Sequence, residues 1–314
     1  MFESPRLSVI TPSYNHGSFL EQAILSVRDQ GYTNVEHIII DGGSTDGSVD
    51  VIRKYEKYLA YWVSEPDRGM YDAINKGIDK ASGDLIGILN SDDRYEPGAL
   101  QAAVNIRTND PEADVVWGSA DMIEITSRGA QVKALLFPPK DEKEIIPYLL
   151  LEIPIFNGCF FRKQVFERHG LLMAQLKIAG DREFMLRAAL SGCKFHTTDI
   201  LFYHYYAHDN SMTYGNDSGN DSAIFEKWNK EHCQIAEFYL ARQNMTENAR
   251  DAYCQLHTNS NLSLIKIACK RGDFVRAFGF VQEGWRANPK WIAVFLKRGL
   301  KILRDLSQGV NWDD

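Results

Sequence analysis

Two adjacent carboxylates, Asp92 and Asp93, lie just past the apolar run at residues 85–89, after Asn90 and Ser91. At the end of a buried strand such neighbours repel each other and lose solvation, so a partner must offset that cost. A hard divalent cation does this well, because magnesium-type ions bind one or two carboxylates together with substrate phosphates. The alternative is a solvated turn, since Ser-Asp-Asp is common turn chemistry.

A second polar segment, Asp-Gly-Gly-Ser-Thr-Asp-Gly at residues 41–47, combines backbone freedom with two carboxylates. Asp41 is the first residue after another apolar run and is placed to accept hydrogen bonds from a base or a ribose. Alternatively, Ser44 or Asp46 caps the following helix and the glycines only permit the turn. The two interpretations are compatible with each other.

The stretch 64–77 places Asp72, Asn75 and Lys76 in the first turns of a predicted helix, beside Arg68 and Gly69. The positive end of a helix suits a diphosphate. A plain exposed helix face is the alternative interpretation.

Another carboxylate, Asp181, opens a predicted helix within Ala-Gly-Asp-Arg-Glu at residues 179–183. A carboxylate base within reach of an acceptor hydroxyl is one interpretation. On spacing alone an N-cap is favoured. His204 and His208 lie in the aromatic and polar stretch 203–211, where either could complete a metal shell, although a lone histidine is more often structural.

The elements that must position these residues alternate between strand and helix in the first 90 or so positions. Such alternation predicts a parallel sheet with helices on both faces, which binds ligands beyond the carboxyl ends of its strands. We predict strands at residues 7–11, 35–40, 61–63 and 85–89, separated by helices, and polar loops at 12–17, 41–47, 64–69 and 90–93. Four loops on one edge of the sheet predict a nucleotide-sized site.

The pattern changes twice further along the chain. From residue 114 it is mixed, with strands predicted at 115–118 and 132–137 and helices at 142–151 and 181–191. From residue 223 it is helical, with segments at 223–243, 246–257, 259–271, 273–287 and 290–306. We therefore predict two domains, residues 1–222 and 223–314.

Composition limits the function and the compartment. A formal net charge of -7 argues against a nucleic-acid binder. Residues 262–304 nevertheless carry ten Lys or Arg against two acidic residues, which favours contact with an anionic surface. Five scattered cysteines without a CxxC pair fit a reducing cytosol. No secretory signal or bilayer-length apolar run is evident, so a cytoplasmic enzyme is expected.

Four of these stretches occur together and in order, at residues 9–15, 41–47, 65–77 and 89–93. Together they resemble the family-2 inverting glycosyltransferases of the GT-A fold, and weaker matches extend to about residue 211. The resemblance implies an α/β nucleotide-binding sandwich, a mostly parallel sheet with helices on both faces, followed by an all-α C-terminal appendage.

The resemblance also implies a role for each matching residue. Asp181 would be the general base, and Asp93 would be the direct metal ligand, helped by Asp92 and His208. The nucleotide sugar would be bound by Pro12, Tyr14, Asn15, Asp41, Arg68, Gly69, Asp72, Asn75 and Asp92. The family's acidic motif often begins with Asp, whereas this chain has the neutral Asn90, so the metal would be held less tightly.

The function that follows is transfer of a sugar, with inversion and with Mn²⁺ or Mg²⁺, from a nucleoside-diphosphate sugar, by resemblance a UDP-sugar. The acceptor would be a hydroxyl on a lipid-linked or polysaccharide glycan. A sugar nucleotidyltransferase is one alternative, but residues 12–17 lack the Lys or Arg of its phosphate loop. A non-catalytic sugar-nucleotide-binding protein is another.

The basic amphipathic segment 291–304 is predicted to lie at the inner face of the cell membrane. A helical bundle that buries its apolar residues is the alternative.

Overall fold

The computed structural model describes residues 4–126, 129–208, 211 and 221–287. By its contacts the chain forms two compact units, Met1–Asn216 (unit 1) and Asp217–Asp314 (unit 2). The domain boundary at residue 222 stays a prediction.

The first half of unit 1 is a parallel sheet. Its strands lie in the order β3-β2-β1-β4 and pair in parallel throughout. The strands are β1 (Leu7–Ser13), β2 (Val35–Asp41), β3 (Tyr61–Ser64) and β4 (Leu85–Ile88), and the helices between them are α1 (Gly17–Arg28), α2 (Ser48–Tyr55) and α3 (Met70–Lys80). β1 and β4 are buried along their whole length, which explains why β4 is entirely apolar and β1 is mainly so. The predicted alternation of strand and helix is confirmed.

The second half of unit 1 is mixed. β8 is antiparallel to both β4 and β6, whereas β9 is parallel to β6 and antiparallel to β5. The strands are β5 (Arg94–Tyr95), β6 (Val115–Thr126), β7 (Gly129–Leu136), β8 (Cys159–Arg162) and β9 (Phe195–Ala207), and the helices are α4 (Ala99–Asn109), α5 (Ile145–Leu151), α6 (Lys163–His169) and α7 (Gly180–Leu190). The result is one nine-stranded sheet. It confirms the predicted α/β class, although β8 and β9 were not foreseen.

The pairing of β6 with β9 is irregular in the middle. Trp117 pairs with Thr197, but three residues later Ala120 pairs with Tyr203, so β9 contains three extra residues over this span. Such bulges redirect the side chains that follow them.

Unit 2 contains α8 (Asp221–Leu240), α9 (Glu247–Lys270) and α10 (Phe274–Ala287). The two helices predicted at residues 246–257 and 259–271 are in fact one, α9, which corrects the prediction. The hydroxyls of Thr258 and Ser263 donate to carbonyls four residues earlier, so both hydroxyls find their acceptors within the helix. The predicted segments 290–306 and 291–304 lie outside the described residues.

Within the part of the chain that the structure describes, no helix combines the length and the apolar character needed to cross a membrane.

Candidate active site

The loops after β1 and β2 are joined to each other. The amide of Asn15 donates to Ser44 Oγ at 2.8 Å, and the amide of Thr45 donates to Asn15 Oδ1 at 2.9 Å. Asn15 has a positive φ of 54°, a conformation that asparagine tolerates better than most residues. The carboxylate of Asp46 accepts from the amide of Gly17 at 2.8 Å. The two loops therefore form one surface at the carboxyl edge of the sheet.

The start of α1 depends on the loop after β2. The N-cap of α1 is His16, which makes no side-chain cap bond. Asp46, from the loop after β2, satisfies the first amide of α1 instead, and also accepts from the amide and hydroxyl of Ser48 in α2. One carboxylate thus holds the starts of two helices.

Asp41, the predicted base or ribose ligand, is completely buried. Its Oδ2 accepts from the amides of Gly43 and Ser44 at 3.1 and 2.9 Å and from Ser64 Oγ at 2.7 Å. Its Oδ1 accepts from Ser44 Oγ at 2.5 Å. Asp41 therefore closes its own loop and ties it to β3, while its bond to a nucleotide stays a prediction.

Beside this loop lies an exposed aromatic ring. The side chain of Tyr14 is 61% exposed, whereas Pro12 is buried at the end of β1. A Cβ placed on Gly42 would come within 3.2 Å of Tyr14 Cδ2 and 2.7 Å of Asp67 Oδ2. Tyr14 and Asp67 therefore flank a bare stretch of backbone, an arrangement that suits a flat base.

The residues predicted to bind a diphosphate at the start of α3 already have protein partners. Arg68 Nε and Nη2 donate to Asp72 Oδ1 at 3.1 and 2.5 Å, and this lowers the pKa of Asp72. Gly69 adopts a φ of 120° and its amide donates to Asp67. The Arg68 side chain is 76% exposed and can still contact a ligand.

Asn75 bonds the backbone of Leu172, and its contact with a nucleotide sugar stays a prediction. Its Nδ2 donates to the Leu172 carbonyl at 2.8 Å, and its Oδ1 accepts from the Leu172 amide at 3.0 Å. Lys177 Nζ donates to the Arg68 carbonyl at 2.7 Å. These bonds hold residues 171–177, which precede α7, against the start of α3.

The two adjacent carboxylates at the end of β4 have unlike surroundings. Asp93 is 1% exposed, and its Oδ2 accepts from Tyr203 Oη at 2.5 Å and from Asn90 Nδ2 at 3.2 Å, while its Oδ1 accepts from the Tyr206 amide at 2.8 Å. Burial, and then the charge of Asp92, raise the pKa of Asp93 well above its usual range. Both oxygens are occupied by protein donors.

Asp92 is partly exposed and its Oδ2 lies 3.1 Å from His208 Nε2. The His208 ring stacks on Phe19 at a centroid distance of 4.3 Å and meets the His16 ring edge-on at 6.0 Å. The structure therefore brings together the predicted residues Asp92 and His208, which are 116 positions apart.

The donor set fits a divalent cation of the magnesium type. In the described residues no three His, Cys, Asp or Glu side chains form a metal cluster by themselves. Ions of this type need only one or two carboxylates when a substrate phosphate completes the shell. Asp92 and His208 offer such a set, and Asn90 Oδ1, in the same turn, is buried without a described hydrogen-bond partner. The predicted role of Asp93 as direct ligand stays a prediction, since its oxygens are engaged.

Asp181 lies in the first turn of α7 and is only partly exposed. Its Oδ1 accepts from the Arg182 amide at 2.7 Å and from Tyr71 Oη at 3.4 Å. Burial raises the pKa of Asp181 to about 6, although the amide and charge of Arg182 oppose it. A carboxyl group with a pKa near neutrality is suited to proton transfer.

Two contacts fix the start of α7. Gly180 packs on the ring of Tyr71 so closely that a Cβ there would lie 2.7 Å from Tyr71 Cε2. The buried guanidinium of Arg182 donates to the carbonyls of Leu149 and, at 2.6 Å, Glu152 at the end of α5. Asp181 is thus held from both sides.

Sequence reasoning missed three residues of this site. Tyr71 contacts Asp181, Tyr203 contacts Asp93, and Asn157 Nδ2 donates to Tyr203 Oη at 2.9 Å. The stretch 203–211 stood out only for its histidines. A Tyr that contacts a carboxylate 110 positions away leaves no local signal in the sequence.

Unit 1 contains a nine-stranded α/β sheet, with carboxylates and a basic residue at the edge formed by its loops. This is the architecture of a GT-A-type glycosyltransferase. The family model described as Glycosyl transferase family 2 matches residues 8–170. The chain therefore belongs to glycosyltransferase family 2 and is an enzyme.

Similar proteins agree with this assignment. An uncharacterized glycosyltransferase of Mycobacterium tuberculosis is 34% identical over 213 residues, covering 64% of this chain and 78% of that protein. The structure of S. aureus TarS 1-349 in complex with UDP-GlcNAc matches with a TM-score of 0.65 and 16% identity, covering 98% of this chain and 93% of that one. The mannosyltransferase PcManGT from Pyrobaculum calidifontis, in complex with GDP-Man and Mn²⁺, matches with a TM-score of 0.58 and 19% identity, covering 96% and 81%. The last two likenesses show the fold, and the predicted GT-A type is confirmed.

Proposed function

We propose that the enzyme moves a sugar from a nucleoside-diphosphate sugar, in the first place a UDP-sugar, onto an acceptor hydroxyl with inversion and with the help of Mn²⁺ or Mg²⁺. The observation that carries this proposal is Asp181, a carboxyl group with a pKa of about 6 held rigidly against α3. A hydroxyl acceptor needs such a base, because its oxygen becomes a good nucleophile only as it loses its proton.

The donor side is supported by the loops at the carboxyl edge of the sheet. Tyr14 and Asp67 flank bare backbone at Gly42, which suits a nucleobase, and the exposed Arg68 suits a diphosphate. Among the solved structures with this fold, TarS 1-349 holds UDP-GlcNAc and PcManGT holds GDP-Man with Mn²⁺. These likenesses support a nucleotide-sugar donor here.

Asp92 and His208 would hold the divalent cation, with phosphate oxygens completing its shell. When bound, such an ion stabilises the negative charge that develops on a diphosphate leaving group. Asp93 would keep the turn in place beneath them.

The proton has a defined destination. Asp181 Oδ1 accepts from Tyr71 and from the Arg182 amide, which leaves Oδ2 to take the proton of the acceptor hydroxyl. As that proton leaves, the acceptor oxygen forms its bond to the anomeric carbon. The bond from this carbon to the diphosphate breaks, and its electron pair departs with the nucleoside diphosphate. A single displacement from the opposite face inverts the configuration.

For the acceptor we propose a glycan hydroxyl, carried on a lipid or a polysaccharide, met by the enzyme at the inner face of the cell membrane. The support is the excess of eight positive charges over residues 262–304, beside the acidic remainder of the chain. Flotation of the full-length protein with anionic liposomes at low salt tests this part. Absence of binding would remove it and leave the donor reaction untouched.

The deciding experiment is a thermal-shift panel of UDP, GDP, ADP and dTDP, each with and without MnCl₂. Ligands that bind only the native state raise the melting temperature. We expect a manganese-dependent shift with one nucleotide, strongest for UDP, that is lost in Asp92→Ala and kept in Asp181→Asn. No shift with any nucleotide, from a folded sample, would overturn the donor assignment.

The second measurement is the product. With the donor that binds, hydrolysis followed by NMR should release the sugar first as the anomer opposite to that of the donor. Release with retention would contradict the single displacement.

A further inference from the structure

Tyr203 lies in the middle of β9 at the centre of unit 1. It is 2% exposed, and the strand register places it between Tyr95 of β5 and Ala120 of β6. Its ring meets the Tyr95 ring edge-on at a centroid distance of 5.9 Å. A tyrosine this deeply buried needs partners for its hydroxyl, because an unsatisfied buried hydroxyl is costly.

Those partners belong to the turn that carries the two adjacent carboxylates. Tyr203 Oη donates to Asp93 Oδ2 at 2.5 Å and accepts from the Asn90 amide at 3.4 Å. The turn itself is closed by a bond from the Asp93 amide to the Asn90 carbonyl at 3.2 Å. One hydroxyl therefore contacts both ends of residues 90–93.

Asn157 sets the direction of this contact. Its Nδ2 donates to Tyr203 Oη at 2.9 Å, so the lone pairs of that oxygen are taken up and its proton points at Asp93. Asn157 lies in the short 3₁₀ helix Phe156–Gly158, which leads into β8. The hydrogen bonds from Asn157 to Tyr203 and from Tyr203 to Asp93 thus join three segments that are far apart in the sequence.

The carboxylate of Asp93 depends on this hydroxyl. None of the described contacts to Asp93 comes from Lys or Arg; its donors are Tyr203, the Tyr206 amide and Asn90. A buried carboxylate without a cationic partner keeps its orientation only through the hydrogen bonds made to it.

We propose that Tyr203 is a positioning residue: its hydroxyl holds Asp93 and the turn 90–93 so that Asp92 faces His208 and the donor diphosphate. This role rests on the proposed function, since it acts through Asp92. Tyr203 itself is buried and touches neither substrate nor cation.

The first test uses the full-length protein without ligand, comparing wild type, Tyr203→Phe and Tyr95→Phe by amide hydrogen exchange. Tyr95 is a matched control, because it is 2% exposed and its hydroxyl donates to the Ile88 carbonyl instead, at 3.0 Å. We expect the peptide over residues 89–94 to exchange at least tenfold faster in Tyr203→Phe than in Tyr95→Phe. Equal protection of this peptide in the two variants would overturn the proposal.

The second test is binding of UDP and of GDP by calorimetry, titrated with MnCl₂. Tyr203→Phe should weaken manganese-dependent binding about tenfold, with Tyr95→Phe close to wild type. Unchanged binding in Tyr203→Phe would overturn the role in the site. If wild type bound neither nucleotide, the proposed function would fall, and hydrogen exchange would still decide whether Tyr203 holds the turn.

A third variant covers the case in which Tyr203→Phe does not fold. Asn157→Leu keeps the Tyr203 hydroxyl and removes the group that orients it. We therefore expect manganese-dependent binding to weaken here too, but only about threefold. If Tyr203→Phe did not fold and Asn157→Leu showed wild-type exchange and binding, the positioning role of the hydrogen bonds from Asn157 through Tyr203 to Asp93 would be rejected.

Discussion

Asp41 and Asp181 are both shielded carboxylates at the ends of secondary-structure elements, but their surroundings differ. Asp41, at the end of β2, accepts four hydrogen bonds from its own loop and from Ser64. Asp181, in the first turn of α7, accepts one short bond from a backbone amide and one long bond from Tyr71. The first arrangement satisfies both oxygens within the protein.

The difference separates carboxylates that build the site from carboxylates that are free to react. Donors around a carboxylate stabilise its charge and fix its geometry, whereas burial with few donors favours the neutral acid. Between the neighbours Asp92 and Asp93 the contrast is one of geometry: both oxygens of Asp93 accept from protein donors, whereas Oδ2 of Asp92 faces His208. Burial outweighs those donors at Asp93, whose pKa is raised. Sequence motifs do not distinguish the two kinds.

The largest expected effect comes from removing the proposed base. Asp181→Ala should lower the turnover of the bound donor about 10²- to 10⁴-fold, because the acceptor proton loses its destination. Initial rates measured with nucleotide binding in parallel check this. Asp79→Asn, which alters an exposed carboxylate of α3, is the control and should match wild type. Turnover near that of wild type in Asp181→Ala would show that Asp181 is not the base.

The next effect tests the two adjacent carboxylates. Asp92→Ala should weaken manganese-dependent nucleotide binding at least tenfold with little change in melting temperature. Asp93→Ala should lower the free energy of unfolding by about 1–3 kcal/mol, because it leaves the Tyr203 hydroxyl and the Tyr206 amide without an acceptor. Thermal unfolding and calorimetry measure both. The reverse pattern would support the sequence-based role of Asp93 as the direct metal ligand.

A smaller effect concerns stability as a function of pH. The pKa of Asp181 is about 6 in the folded protein, above the usual value near 4 in the unfolded chain, so its ionised form is disfavoured by folding. The destabilisation is present above pH 6 and absent below about pH 4. Asp181→Asn should therefore raise the free energy of unfolding by about 1–2 kcal/mol at pH 8, allowing for partial exposure, and leave it unchanged at pH 4. Denaturant titrations at both pH values check this, and an equal difference at both would contradict the assigned pKa.

The smallest effect is expected at the exposed end of α3. Arg68→Ala breaks the pair with Asp72, but the Arg68 side chain is 76% exposed, so the free energy of unfolding should change little. If Arg68 contacts the donor, nucleotide affinity should fall although stability changes little. Equal affinity in Arg68→Ala and wild type would assign Arg68 a structural role alone.

The parallel half of the sheet could be predicted from the sequence because its signals are local. The strands are mainly apolar, and a polar loop follows each of them directly, as at residues 41–47 and 90–93. Parallel order then brings these loops to one edge without any further information. The predicted meeting of Asp92 with His208 came from family resemblance and not from spacing.

The antiparallel half could not be predicted to the same degree. β9 carries polar and aromatic residues with mixed burial, so it lacks the apolar run of a parallel strand. The partners of Asp93 and Asp181 come from Tyr203 and Tyr71, each separated from its carboxylate by 110 positions. Contacts of this kind depend on strand register, which a single sequence does not specify.

Because of the three extra residues in the middle of β9, the length of this strand determines which side chain faces the turn at residues 90–93. Upstream of them β9 is in register with Trp117, and downstream the same strand presents Tyr203 opposite Ala120. Deleting one residue between Thr197 and Leu201, with the upstream register kept, would bring His204 to the place of Tyr203 and turn every downstream side chain of β9 to the other face. Relatives that share every loop motif can therefore differ in how firmly the turn at residues 90–93 is held, because β9 differs in length.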